Sequence, residues 1–332
     1  MSKIIRWGII GCGKIARKFA ADLPLAGNAA LTAVASRSAD NAKQFAAEFN
    51  SKKFYTNYED LVKDPEVDII YIATPHSHHY QNTLLCLHEN KAVLCEKAFA
   101  VNSKQAKEMV ALARQKKVFM MEALWTRFLP AHIKMLEILK EGLIGEIKSV
   151  LINFGFRPLE PIAPRIYDPA LAGGTLLDIG IYNVFIAMSI LGKPDSINAQ
   201  MVQSASGVDA QCSIVFQYKT GAVAQLFSTF LSDLSTEANI AGTNGRIKLT
   251  SRFFAPESKI EYYPGRIDDK QMIISEDVSE GFGYQYEARH VGECFLQGIT
   301  ESPLVSLNDT LTRMEVLDEI RKKAGIKYPA DE

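Results

Sequence analysis

The chain has 332 residues, beyond the roughly 250–300 at which a single core stops growing, so two domains are expected. With 47% hydrophobic and 23% charged residues, its composition is that of a globular protein with a sizeable core. A formal net charge of −1 argues against nucleic acid or an anionic membrane surface as partner.

The opening run from Met1 to Gly8 passes straight into a strand pattern and leaves no room for a signal peptide. No uninterrupted apolar run approaches the ~18 residues of a membrane span. Short apolar runs at 4–10, 31–35, 53–55, 67–74, 92–95 and 118–121 alternate with helical patterns. Ala42, Phe45, Ala46 and Phe49 follow helical spacing, as do Ala106, Met109, Val110 and Ala113, with Ser103 placed to cap the latter helix. Such alternation predicts a doubly wound parallel sheet over 1–123, the Rossmann arrangement.

After the first strand comes Gly8-Ile9-Ile10-Gly11-Cys12-Gly13-Lys14-Ile15-Ala16. Gly11 permits the tight turn, Gly13 lets the backbone approach a pyrophosphate, and Ala16 keeps the helix close to the sheet. The helix beginning at Lys14 and Ile15 offers free N–H groups to an anion. At the end of the second strand, where NAD enzymes place a carboxylate on the ribose, stand Ser36, Arg37 and Ser38. A guanidinium fork there suits a 2′-phosphate, so NADP is expected over NAD. Strand four ends in Ala73-Thr74-Pro75-His76-Ser77-His78-His79, and strand five in Cys95-Glu96-Lys97. Both fall where open α/β sheets bind ligands, so Thr74, Pro75, His76, His79, Glu96 and Lys97 are candidate cofactor residues. Trp125 and Arg127, just beyond the sixth strand, join them. The histidines lack the further ligands a metal shell needs, and no metal is expected.

From 124 to 332 the pattern changes to an α+β domain with a large, mostly antiparallel, open-faced sheet. A helix over 130–141 ends at Gly142. Val150, Ile152, Phe154 and Phe156 then alternate with Ser149, Leu151, Asn153 and Gly155, and a second strand sets Cys212, Ile214, Phe216 and Tyr218 on one face. Thr243-Asn244-Gly245-Arg246 reads as a tight hairpin. Helices over 178–191, 285–297 and 308–323 are expected to cover one face of the sheet. Its other face is a candidate homodimer interface.

In these residues the chain resembles the Gfo/Idh/MocA oxidoreductase family. The resemblance runs through the glycine loop, the Ala-Thr-Pro…His segment, Glu96-Lys97 and the run from Gly173 to Tyr182. The run from Met121 to Pro130 is similar to the branch of dimeric dihydrodiol dehydrogenases and NADP-dependent D-xylose dehydrogenases. The resemblance implies hydride transfer between NADP and a hydroxyl of a sugar or vicinal cyclic diol, with Lys97 and Tyr182 as the catalytic pair and Asp178 beside them. Tyrosine's ordinary pKa near ~10 is too high for a base at neutral pH, and a nearby ammonium favours the phenolate. Lys97 as the proton acceptor is the alternative. Tyr182 as a core tyrosine and Asp178 as a helix cap are the plainer readings of those two side chains. Trp125, Phe154, Phe156 and Phe282 are candidates for a substrate wall, and Arg165 for a contact to substrate hydroxyls. The family commonly has proline where this chain has Ala98, so a trans Lys97–Ala98 bond is expected. A nucleotide-sensing regulator on the same scaffold is the competing function. Cys12, Cys86, Cys95, Cys212 and Cys294 are odd in number and lack CxxC spacing, which points to a reducing, cytoplasmic setting.

Overall fold

A computed structural model of the protein describes residues 3–159, 162–250, 252–265, 271–273 and 280–332, so Met1 and Ser2 of the opening run lie outside the described residues. The chain divides into two compact units: residues 1–127 with 280–311, and 128–279 with 312–332.

In the first unit, six parallel strands are β1 (Ile5–Ile10), β2 (Ala29–Ala35), β3 (Lys53–Tyr55), β4 (Ile69–Ile72), β5 (Ala92–Glu96) and β6 (Met120–Ala123). They lie in the order β3-β2-β1-β4-β5-β6, so the winding reverses between β1 and β4. Strands β4 and β5 are buried along their whole length, as strands covered on both faces must be. The helices α1 (Lys14–Asp22), α2 (Ala39–Glu48), α3 (Tyr58–Lys63), α4 (His79–His88) and α5 (Ser103–Lys116) connect them.

Three local expectations are corrected. The cap of α5 is Asn102, one residue before Ser103; its side chain accepts the Gln105 N–H at 3.0 Å. The Lys97–Ala98 bond is cis, not trans, with Ala98 fully buried and its carbonyl 2.8 Å from His79 Nδ1, so the surrounding packing and not the isolated peptide preference sets this turn. The helix over 284–296 does not cover the antiparallel sheet. It belongs to the first unit, where it packs on α1 and the turn that follows α1. The segment beyond that helix also lines the edge of β6, with Met120 N–H donating to the Thr300 carbonyl at 3.2 Å.

In the second unit, α6 (Pro130–Lys140) precedes β7 (Ile147–Gly155), and Gly142 adopts a φ of +74° just past the helix. The helix α7 (Ile181–Leu191) is preceded without a break by a π-helical turn, Leu176–Gly180. Strands β8 (Ser196–Gln203), β9 (Asp209–Gln217), β10 (Val223–Thr229), β11 (Ala238–Gly242), β12 (Gly245–Leu249), β13 (Ile260–Pro264) and β14 (Gln271–Ile273) complete the sheet. Among the described residues its order is β14-β13-β12-β11-β7-β10-β9-β8, antiparallel except for the pair β7 and β10. Gly242 opposite Gly245 closes the hairpin across Thr243 and Asn244. Val150, Ile152, Ile214, Phe216, Ala224 and Leu226 face inward, and α7 packs over β7 and β10. The remaining helices are α8 (Tyr284–Leu296), in the first unit, and α9 (Leu307–Ala324), within which the two units divide. The segment Pro169–Leu191 is apolar enough to cross a membrane by length and composition. Its most apolar window is 78% buried inside the protein, as a core helix is.

Candidate active site

In the first unit, the predicted residues gather at the carboxyl ends of β1, β2, β4 and β5, on either side of the winding reversal. Gly11 turns with a φ of +93°, and a Cβ there would sit 2.8 Å from the Ala73 carbonyl oxygen, so only glycine fits. Beside Gly13 the space is open: a methyl group there would meet no atom within 4 Å. Lys14 and Ile15 begin α1, whose N-terminus has neither a side-chain cap nor an acidic residue in its first turn. Those unsatisfied N–H groups, the positive helix end and the open space suit a phosphate anion.

Asn41, which the sequence reading missed, ties this loop to the end of β2. Its Nδ2 donates to the Cys12 carbonyl at 3.3 Å and reaches Ser36 Oγ at 3.5 Å. Cys12 itself is buried, and burial pushes its thiol up to about 12, which leaves it unreactive. Ser38 caps α2 through the Asn41 N–H. Arg37 is exposed, and its charge opposes the rise in the Tyr58 pKa that burial causes. The segment after β2 therefore presents a guanidinium and serine hydroxyls, donors that fit a phosphate better than a plain ribose hydroxyl.

The turn after β4 is pinned from two sides. Asn82 Nδ2 donates to Thr74 Oγ1 at 3.1 Å. His79 places Nε2 2.8 Å from the Thr74 carbonyl and Nδ1 2.8 Å from the Ala98 carbonyl, bridging the ends of β4 and β5. Burial lowers the pKa of His79 to about 4, against the pull of the two carbonyls, which favour a proton on each ring nitrogen. His76 packs edge-on against it, with ring centroids 5.7 Å apart. Pro75 is half-buried ahead of them.

Glu96 is buried and accepts from the Tyr71 hydroxyl and, at 3.2 Å, from the Lys97 N–H. Burial pushes its carboxyl up to about 6, against the opposing pull of the Lys97 charge. Glu287 on α8, also missed, is fully buried and raised well above the ordinary carboxyl range, first by burial and then by Glu96. Trp125 is 6% exposed and stacks on Tyr284 at 4.6 Å and 3°, so most of its ring is committed to packing. Burial lowers the pKa of the half-buried Arg127. Phe282 is 47% exposed, with Lys18 Nζ 5.3 Å above its ring.

In the second unit, Asp178 lies inside the π-helical turn rather than at the helix cap, a position held by Thr175. Its carboxylate takes the Arg165 guanidinium at 2.9 Å. The arginine proposed for substrate thus already holds this acid. Tyr182, in the first turn of α7, is 7% exposed and flanked by Phe154 (6.0 Å) and Phe254 (5.0 Å). Phe154 stacks on Phe254 at 4.4 Å, and Phe156 is 6.4 Å from Phe154. Phe254 was missed because it follows a strand without periodicity to mark it. The unit brings together a phenol, a carboxylate paired with a guanidinium, and an aromatic wall. Such a group can hold an apolar ring against the wall and hydrogen-bond its hydroxyl, and can take the hydroxyl proton once the phenol is ionised.

Residues 5–124 match the oxidoreductase family described as an NAD-binding Rossmann fold, and residues 132–248 match the GFO/IDH/MocA C-terminal domain. The chain is similar to the trans-1,2-dihydrobenzene-1,2-diol dehydrogenases of Mus musculus (39% identity) and Homo sapiens (35%), in each case over 98% of this chain and 99% of theirs. Among solved structures it resembles a 3-ketoreductase from Actinomadura kijaniata in complex with NADP. The TM-score is 0.87 at 26% identity, covering 97% of this chain and 98% of the other. An aldose-aldose oxidoreductase from Caulobacter crescentus shares the fold, with a TM-score of 0.88 at 22% identity, covering 97% and 98% of the two chains.

Proposed function

Because the chain belongs to the Gfo/Idh/MocA oxidoreductase family, we propose that it is an NADP-dependent dehydrogenase oxidising a secondary hydroxyl of a vicinal cyclic diol or a sugar. The observation that carries this reading is Tyr182, set beside the Phe154–Phe254 stack on the helix that also bears the Asp178–Arg165 pair. An aromatic wall favours a flat, apolar ring such as a dihydrodiol, and D-xylose is the second substrate to test.

The cradle for the cofactor is the Gly11–Gly13 turn with the α1 N-terminus for the pyrophosphate, and Ser36 with Arg37 for the 2′-phosphate. Thr74, Pro75, His76, His79, Glu96, Trp125 and Arg127 belong to the remainder of its site. When bound, oxidised NADP supplies the acceptor for the hydride leaving the carbinol carbon. The hydroxyl proton passes to the phenolate of Tyr182 and then to solvent, leaving a C=O group. Asp178 holds local charge balance beside Tyr182, and Lys97 of the first unit is the second catalytic group of the proposal, its positive charge favouring loss of the hydroxyl proton. The protein works as a homodimer through the open face of the second unit's sheet. All five cysteines are free and buried, which supports a reducing, cytoplasmic setting.

The test follows NADP reduction by absorbance with trans-1,2-dihydrobenzene-1,2-diol and D-xylose, in the native protein and in Lys97→Met and Tyr182→Phe, across pH. Each variant should lose roughly a hundredfold or more in kcat, within the span of general acid–base catalysis. Near-native turnover in both variants would overturn the catalytic assignment. NADP binding without turnover of either compound would favour a nucleotide sensor.

A further inference from the structure

The helix that carries Asp178 and Tyr182 has no acceptor of its own at its N-terminus. Thr175 occupies the cap position but makes no local capping bond. The acceptor comes from β9, more than thirty residues along the chain. Asp209 Oδ2 receives the Thr175 hydroxyl and the Leu176 N–H, each at 2.7 Å. The Ser228 hydroxyl from β10 completes the chain, donating to Thr175 Oγ1 at 3.1 Å.

Backbone geometry is fitted to this contact. Gly174 has a φ of +108°, and a Cβ on it would lie 2.1 Å from Asp209 Oδ1. Gly180 approaches β10 so closely that a Cβ would meet Ser228 Oγ at 3.0 Å. One residue beyond Tyr182, Asn183 Nδ2 donates to the Phe227 carbonyl at 2.9 Å. Asp178 and Tyr182 therefore stand between two polar ties to the sheet. The first is the stronger, because a carboxylate there meets both an unsatisfied N–H and the positive end of the helix.

We propose that Asp209 is a positioning residue for the reaction: its carboxylate anchors the start of the Asp178–Tyr182 helix to β9 and so sets where the phenol stands. This inference rests on the proposed role of Tyr182. A helix start that is free to slide misplaces Tyr182 by an ångström or so, enough to cost rate without touching the cofactor cradle of the first unit.

The experiment measures kcat and KM for NADP and trans-1,2-dihydrobenzene-1,2-diol in Asp209→Asn, Asp209→Ala and Thr175→Val, each also in a Tyr182→Phe background. Circular dichroism verifies the fold, and Thr175→Val, nearly isosteric, keeps the test open should Asp209→Ala fail to fold. Asp209→Ala should lower kcat roughly tenfold or more, the scale of a lost helix cap. Asn, which keeps an acceptor but not the charge, should fall in between, and KM for NADP should stay within about twofold, since its binding is not touched. In the Tyr182→Phe background these losses should vanish, because Asp209 acts through the phenol. Native kcat in Asp209→Ala or Thr175→Val, or an equal loss in both backgrounds, would overturn the proposal. Native turnover in Tyr182→Phe alone would instead overturn the assignment of Tyr182.

Discussion

Arg37 shows how much one side chain decides. It follows buried Ser36 at the end of β2 and is exposed. A guanidinium placed there favours a 2′-phosphate through charge-assisted hydrogen bonds of about 1.5–3 kcal/mol. Arg37→Asp should therefore raise KM for NADP by roughly ten- to a hundredfold and leave NAD little affected or improved. Initial rates with the two coenzymes decide the matter, and an unchanged preference would remove Arg37 from the cofactor site. The turn at Gly11 was legible because it depends on local backbone conformation. Glu287 was not: a glutamate on a helix is ordinary in sequence, and only burial beside Glu96 makes it unusual.

At the scale of elements, two helices depend on an aspartate from far along the chain. Asp209 serves the helix before α7, and Asp22, at the end of α1, serves α8. The buried Asp22 carboxylate accepts the Phe282 and Tyr284 N–H groups, each at 2.8 Å, where the cap residue Gly283 has no side chain to offer. Its removal strands the buried Tyr284 N–H, at a cost of about 1–3 kcal/mol, while water can reach the N–H of the exposed Phe282. Calorimetry of Asp22→Ala should show the lowest melting transition falling by roughly 2–12 °C, given about 2–4 °C per kcal/mol in a unit of this size. A change within a degree would mean that water replaces the carboxylate. Asn102 and Ser38 cap from the residue next to their helices, and even there the expected cap at Ser103 is one residue off; the remote caps leave no local signal at all.

At the scale of the whole molecule, the second unit's sheet has one face under α7 and one open. On the open face, Leu151 of β7 is 44% exposed and Val202 of β8 is 49% exposed, among half-buried Phe227 and Val215. Exposed apolar residues on a broad sheet favour a self-complementary contact. Sedimentation velocity should give a dimer for the native protein, and Leu151→Asp should shift it toward monomer by placing a charge in that contact. A monomeric native protein would remove the dimer from the reading.

The sequence by itself determined the parallel six-stranded sheet, the antiparallel second sheet, the tight glycine turn after β1 and the chemical identity of Lys97, Asp178 and Tyr182. These follow from periodicity, glycine placement and residue type, all of which act over a few residues. Tertiary structure alone decided that α8 returns to the first unit, that Arg165 pairs with Asp178, that Phe254 flanks Tyr182, and that Asp209 and Asp22 cap helices remote from them. Those are contacts between residues far apart in the chain, and a hydrogen-bond donor takes whichever acceptor the fold brings within reach.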